Sequence, residues 1–254
     1  ISSVFGGLLF GIGMTLCSGC TTSTLIKFGE GNIKSLIILT LSGIAAISTM
    51  RGSLGSVRIH LFEDNFLARK INNFFEYNVS FGIDMEWLWP ILLLTFLVFL
   101  LLKHLKNLEI RKNAIWGSVI GSCIVGAWFI SGSIGFLSEH PDTLESAYIL
   151  TNSGKPESFS FIGPLAYSLE FFLYQSDNSK FISFGIIVLF GLLLGSYLSA
   201  RLQKRFKIEF FSTKNDIVYC ILGSTLMGFG GVTASGCTLG HGLSGLSIGS
   251  FNSI

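Results

Sequence analysis

Long apolar stretches alternate with short polar ones along this chain. Residues 3–19, 33–50, 87–102, 114–137, 181–200 and 216–234 each come close to the ~20 apolar residues, or ~17 at the short end, that a helix needs to cross a bilayer. The clearest is "WLWPILLLTFLVFLLLK", with Trp87 and Trp89 as interface anchors and Lys103 at its far end. Pro90 falls near its first turn, where a missing N–H is tolerated. A further stretch, "SFSFIGPLAYSLEFFLY" (158–174), is apolar but too short to cross comfortably, and Gly163-Pro164 interrupts it. It reads as a re-entrant segment, which must line a cavity or other protein rather than lipid, or else as an ordinary interfacial segment.

The polar stretches set the orientation. Residues 103–113 hold four basic residues against one acidic, and residues 201–214 hold five against one, so both are placed inside. Residues 138–158 hold four acids and one Lys and are placed outside. The long, nearly balanced loop "RGSLGSVRIHLFEDNFLARKINNFFEYNVSFGIDMEW" is outside by alternation. Within it, residues 64–76 read equally as a short surface helix or as a solvated loop.

Composition agrees with a membrane protein. The chain is half hydrophobic and 13% charged, against roughly 25% charge in soluble domains, and its mean hydropathy is +0.64. One transmembrane transport domain over residues 1–254 is expected, an all-α polytopic bundle buried in lipid, with no nucleic-acid partner and no cofactor. The chain lacks a starting Met and stops just after its second motif, so a fragment missing helices at both ends is expected. No secretory signal is visible, since "ISSVFGGLLFGIGM" lacks a basic n-region. The five cysteines, Cys17, Cys20, Cys123, Cys220 and Cys237, are odd in number and lie in apolar stretches, against a secreted disulfide framework. Cys123 and Cys220 read as small buried hydrophobes.

A repeat changes the picture. Offset by 217, residues 6–21 and 223–238 agree at eight of sixteen positions, including three glycines and the tetrapeptides Ser18-Gly19-Cys20-Thr21 and Ser235-Gly236-Cys237-Thr238. Alternation makes residues 3–19 run outside to inside and residues 216–234 inside to outside. The two copies are therefore expected to be inverted, each a broken helix, with a site near the bilayer midplane. Glycine is expected to let the backbone turn. Ser, Thr or Cys then caps a short helix beginning near Thr21 or Thr238. A helix N-terminus presents free N–H groups and a positive dipole end to an anion, and the two are expected to point at one spot. No Lys or Arg lies within either tetrapeptide; Lys27 and His241 are the nearest candidates. A thiol, a weak S–H donor and soft acceptor, suits a sulfur-bearing anion better than phosphate.

The "GxGxxxxSGCTxGxGLSG" pattern of residues 228–245, "FIGPLAYSLEF" (161–171) and "AWFISGSIGF" (127–136) resemble the YeeE/YedE family of sulfur-transport membrane proteins. The resemblance implies an all-helical, multi-pass protein of the bacterial inner membrane, built as an inverted repeat with broken or re-entrant half-helices and an hourglass-like interior. It implies thiosulfate uptake, with Cys20 and Cys237 as path cysteines and Ser18, Gly19, Thr21, Ser235, Gly236, Thr238 and His241 around the anion. It also implies a small TusA-like cytoplasmic sulfur carrier as partner. The family usually carries another cysteine in an N-terminal region that has no counterpart here, and "TTSTL" stands in the first copy where the second has "TLGHGL".

The main alternative is a membrane thiol oxidoreductase using the Cys17-x-x-Cys20 pair. A structural subunit would explain the glycines but not the paired cysteines. Zinc is not expected, because no four ligands cluster. His60, His104 and His140 fall in expected loops. Glu170 reads either as a functional ionisable group at membrane depth or as an interfacial one.

Overall fold

The computed structural model describes residues 2–62, 95, 108–139, 146–175, 181–211, 213–245 and 247. Over these the chain is an all-α, multi-pass membrane protein, with five stretches long and apolar enough to cross a membrane. In order they are α1 (Ser2–Leu16) and α2 (Thr21–Gly29), two parts of one broken span, then α3 (Ile33–Arg51), α4 (Ser53–Phe62), α5 (Leu108–Phe129), α6 (Ile162–Leu173), α7 (Phe184–Leu202) and α8 (Lys214–Thr233). A π-helical turn, Ile130–Ile134, ends α5, and another, Gly240–Gly245, follows α8. Two-residue strands β1 (Phe136–Leu137) and β2 (Ala147–Tyr148) pair antiparallel in the connection between α5 and α6.

Helix α1 shows why the bundle holds. Val4, Leu8 and Ile12 lie one turn apart and face outward, as suits lipid contact, while Gly6, Phe10 and Gly13 line the buried face. That face packs against α8, the most extensive helix pair among the described residues. A Cβ on Gly6 would lie 2.5 Å from the Ala234 nitrogen, and one on Gly13 would lie 2.6 Å from the Gly223 carbonyl oxygen. A Cβ on Gly230 would lie 2.5 Å from the Phe10 nitrogen, and one on Gly223 would lie 2.9 Å from the Gly13 oxygen. The numbers rise on α1 as they fall on α8, so the helices are antiparallel. Four glycines remove the side chains that would hold the backbones apart, the means by which membrane helices attract without a hydrophobic driving force.

α8 is the centre of the bundle. Its other face meets α3, where a Cβ on Gly228 would lie 2.4 Å from the Ser42 carbonyl oxygen. Asn32 caps α3, its side chain accepting the Ser35 N–H at 3.1 Å. Ile38, Leu39, Ser42, Ala45, Ala46 and Thr49 then face inward at helical spacing. α3 also packs on α6, and Arg51 at its end pairs with the buried Glu170 at 2.7 Å. The ionisable residue noticed in the apolar 158–174 stretch therefore has a structural partner.

Five of the six expected spans coincide with apolar helices; the sixth, 87–102, apart from Thr95, and the surface helix at 64–76 lie outside the described residues. The short stretch at 158–174 contains α6, whose twelve residues rise about 18 Å, well short of a bilayer. Gly163 and Pro164 do not interrupt it. They sit in its first turn, where proline lacks a hydrogen the helix leaves unused anyway. The stretch after Arg51, read as loop, begins with α4, so His60 is helical.

The glycine crossing makes a test. Replacing Gly13 by Ala forces two backbones apart and is expected to destabilise the protein by about 1–3 kcal/mol, read as a lower melting temperature in detergent. Gly11, two residues away, has nothing within 4 Å of a Cβ. There the same change is expected to be neutral or to stabilise by up to ~1 kcal/mol.

Candidate anion site at the two helix breaks

The two breaks are alike bond for bond. At the end of α1 the Ser18 N–H reaches the Thr15 carbonyl at 3.2 Å and the Gly19 N–H reaches the Met14 carbonyl at 3.0 Å. At the end of α8 the Ser235 N–H reaches Val232 at 3.0 Å and the Gly236 N–H reaches Gly231 at 2.9 Å. This is the Schellman arrangement, which closes a helix with one left-handed residue. Glycine usually holds that place, but here it is Ser18, φ +57°, and Ser235, φ +64°. The expectation that Gly19 and Gly236 make the turn is thus corrected: the serine ahead of each takes the unusual conformation.

The glycines serve a different need. A Cβ on Gly236 would lie 2.9 Å from Nε2 of His241, and one on Gly19 would lie 3.1 Å from Oγ of Ser23 and 3.5 Å from Nζ of Lys27. Each turn is covered by a side chain from the helix after it. Lys27 Nζ donates to the Ser18 carbonyl at 2.8 Å, and His241 Nε2 lies 2.9 Å from the Ala234 carbonyl.

The cysteine of each motif caps the next helix. Cys20 Sγ accepts the Ser23 N–H at 3.5 Å, and its carbonyl accepts the Thr24 N–H at 2.9 Å. Cys237 Sγ accepts the Gly240 N–H at 3.4 Å, and its carbonyl accepts the His241 N–H at 2.9 Å. Helices start at Thr21 and Thr238, where the sequence places them. The second changes to the wider π form at Gly240.

Cys237 has a further neighbour that no side chain announces. The chain entering α6 is pinned by serines: the Ser131 hydroxyl donates to the Glu157 carbonyl at 2.5 Å and accepts the Glu157 N–H at 3.1 Å. The Ser244 hydroxyl donates to the Phe159 carbonyl at 3.0 Å. These hold the uncapped N-terminus of α6 against Cys237, so that the Phe161 N–H reaches Sγ at 3.3 Å, with Ser160 Oγ at 4.0 Å. The fully buried sulfur therefore sits where two helix N-termini meet, accepting N–H groups from both. The thiol and the Ser160 hydroxyl face one another, and either can donate to the other.

The motif residues fall into two groups. Ser18, Gly19, Cys20 and Thr21 form one, and Ser235, Gly236, Cys237, Thr238 and His241 the other. They do not meet at one point. The α1–α8 crossing centres near Phe10 and Met227, equivalent under the 217 offset, and each break starts seven residues, about 10 Å of helix, beyond it in opposite directions. Met14 spans the interval. Its carbonyl takes the Gly19 N–H, and its thioether takes the Thr238 hydroxyl at 3.9 Å.

Sequence reasoning missed Met14, Ser160, Phe161 and Thr22. The Thr21 and Thr22 hydroxyls are buried beside Cys20 without hydrogen-bond partners among the described residues. Such orphans are rare unless a ligand or water serves them. The signal for α6 was Pro164, a residue favoured in first helical turns; nothing in the sequence says which sulfur that helix faces. Cys17 is buried, its thiol 3.8 Å from the Cys220 carbonyl on α8, and all five cysteines are free thiols. Cys17 and Cys20 thus face different partners, which gives the oxidoreductase alternative no dithiol pair in use.

The serines can be tested apart from any function. A left-handed residue other than glycine costs roughly 1–2 kcal/mol, so Ser18→Gly and Ser235→Gly are expected to raise the melting temperature. Ser235→Val is expected to lower it by more than either gain.

The family described as Sulphur transport matches residues 1–254. The chain is 26% identical over 255 residues to a protein named thiosulfate transporter TsuA from Escherichia coli (strain K12), covering 96% of this chain and 66% of that one. It is 23% identical over 259 residues to a protein of the same name from Spirochaeta thermophila, covering 97% and 70%. The chain thus spans about two thirds of the length of these relatives.

Proposed function

The chain belongs to the sulphur transport family, and from that membership we propose that it moves thiosulfate across the bacterial inner membrane, passing it from Cys237 to Cys20. The observation that carries the reading is the buried Cys237 sulfur, held by the Phe161 and Gly240 N–H groups at the meeting of two helix N-termini. The names of the two relatives support the substrate.

The chemistry follows from what the site offers. A dianion stripped of water in a low-dielectric interior loses tens of kcal/mol of solvation unless something replaces it. Helix N-termini do so with N–H groups and dipoles that need no counter-ion. The Cys237 thiol, its sulfur already occupied by two donors, turns its S–H toward the anion. Soft sulfur meeting soft sulfur favours thiosulfate over a hard oxyanion of equal charge. The N-terminus of α2 then presents the Cys20 thiol and the unpartnered Thr21 and Thr22 hydroxyls as a second station. On this reading the residues grouped by sequence act in two steps, with Ser18, Gly19, Ser235 and Gly236 shaping the mouths and Thr238 and His241 flanking the first station. The two antiparallel breaks act as inverted repeats. By the distribution of basic residues, Cys237 lies on the outer side of the crossing and Cys20 on the inner. Delivery to a small TusA-like sulfur carrier in the cytoplasm is the part of the reading that rests on family resemblance alone.

Uptake of radiolabelled thiosulfate by cells with no other route is the test. Cys237→Ala and Cys20→Ala are each expected to cut uptake at least tenfold with the protein still in the membrane, whereas Cys17→Ala is expected to keep it. Normal uptake by the Cys237→Ala protein refutes the path, and a Cys17→Ala loss equal to the others revives the dithiol alternative. Cys237→Ser separates the roles of the sulfur. The hydroxyl keeps an acceptor for both N–H groups, so stability is expected within about 1 kcal/mol of the parent, while uptake falls.

A further inference from the structure

Beyond the inner break lies a cavity of about 300 Å³ that the path above does not use. Its floor includes Cys17 and Ser18, the start of the first turn. Its walls come from three separate places: the end of α2, the start of α3 and the strand-like segment after α7. The connecting segment is tied down. The Ile33 N–H reaches the Glu209 carbonyl at 3.0 Å, and the Lys207 N–H reaches the Glu30 carbonyl at 3.2 Å.

Charge distinguishes this cavity. Lys27, Lys34, Arg205 and Lys207 line it, with Glu30 and Glu209, leaving a net charge of +2. Among the described residues no ion pair within 4.0 Å joins either carboxylate to any of the four cations. Glu209 is turned aside, accepting from Asn32 Nδ2 at 2.8 Å, and Lys27 points at the Ser18 carbonyl. Four cations around one concavity without carboxylate partners repel one another, and a small divalent anion relieves that repulsion. The volume holds on the order of ten waters, so such an anion keeps part of its hydration.

We propose that this vestibule is a second, separate anion site, an inner holding site for divalent sulfur oxyanions with ammonium and guanidinium donors in place of thiols. It rests on the transport reading for the identity of its occupant. Its chemistry differs from that of the helix breaks in one testable respect. Ammonium and guanidinium groups are hard donors and do not distinguish a terminal sulfur from an oxygen, so the vestibule accepts sulfate as readily as thiosulfate. Selection belongs to the cysteines, and the vestibule receives whatever they pass. Lys27 belongs to both, since it lines the cavity and closes over the turn that holds Cys20.

Lysine footprinting tests this without requiring transport. The natural protein in open membrane vesicles is acetylated with a water-soluble amine reagent in thiosulfate, sulfate or chloride at equal ionic strength, and each lysine is quantified by mass spectrometry. Lys34 and Lys207 are expected to be labelled at least threefold more slowly in both divalent anions than in chloride, with Lys155, in the connection between β2 and α6, unchanged. Equal labelling of Lys34 and Lys207 in all three salts overturns the site. Protection by thiosulfate but not sulfate overturns its hard-donor character. Arg205→Gln is expected to weaken the protection of Lys34 and Lys207 at least threefold; undiminished protection counts against the cluster acting as one site. If the parent protein shows protection but no thiosulfate uptake, the transport reading fails and the vestibule stands. If it shows uptake without protection, the vestibule fails and the transport reading stands.

Discussion

Backbone-to-backbone contact between α1 and α8 is the constraint from which the other features follow. Gly6, Gly13, Gly223 and Gly230 let the two helices approach until nitrogens and carbonyl oxygens lie where side chains would otherwise be. That approach fixes where each helix must end. Both break at the same distance from the crossing, and the chain released at each break carries a cysteine to the head of a new helix. Were the helices a methyl group further apart, Met14 would no longer reach from one break to the other.

The breaks themselves show how a membrane protein manages polar backbone. Each Schellman closure ties the last carbonyls of a helix, and each following cysteine ties the first amides of the next. Irregular backbone at membrane depth needs its hydrogen bonds made inside the protein, and these bonds supply part of that set. The same economy holds at residues 156–161, where serines on two other elements satisfy an extended strand inside the protein. What is left over among the described residues includes the two threonine hydroxyls behind Cys20.

Much of this was legible in the sequence, for physical reasons. Spans announce themselves because lipid demands length and apolarity together, so 33–50, 181–200 and 216–234 match α3, α7 and α8 closely. The repeat located both breaks because the chemistry of a helix end is local: the serine, glycine and cysteine that make it are consecutive. Even so, propensity alone assigns the left-handed place to glycine, whereas the hydrogen-bond geometry assigns it to serine. The Phe161 amide was invisible, since a backbone donor leaves no trace in a side-chain pattern and meets Cys237 across 76 residues of chain. The basic vestibule was hidden for a related reason. Lys27, Lys34, Arg205 and Lys207 are scattered in sequence, and counting Arg205 and Lys207 within 201–214 showed only which side of the membrane that stretch favours.

The crossing of α1 and α8 is close to self-complementary. Gly6 meets Gly230, and their counterparts 217 residues away, Gly223 and Gly13, meet in the same way. Contacts of that reciprocal form are what two identical subunits make about a dyad. In the tethered chain that reciprocity stops at the joint itself, since the turn beyond it is covered by a lysine on one side and by a histidine on the other.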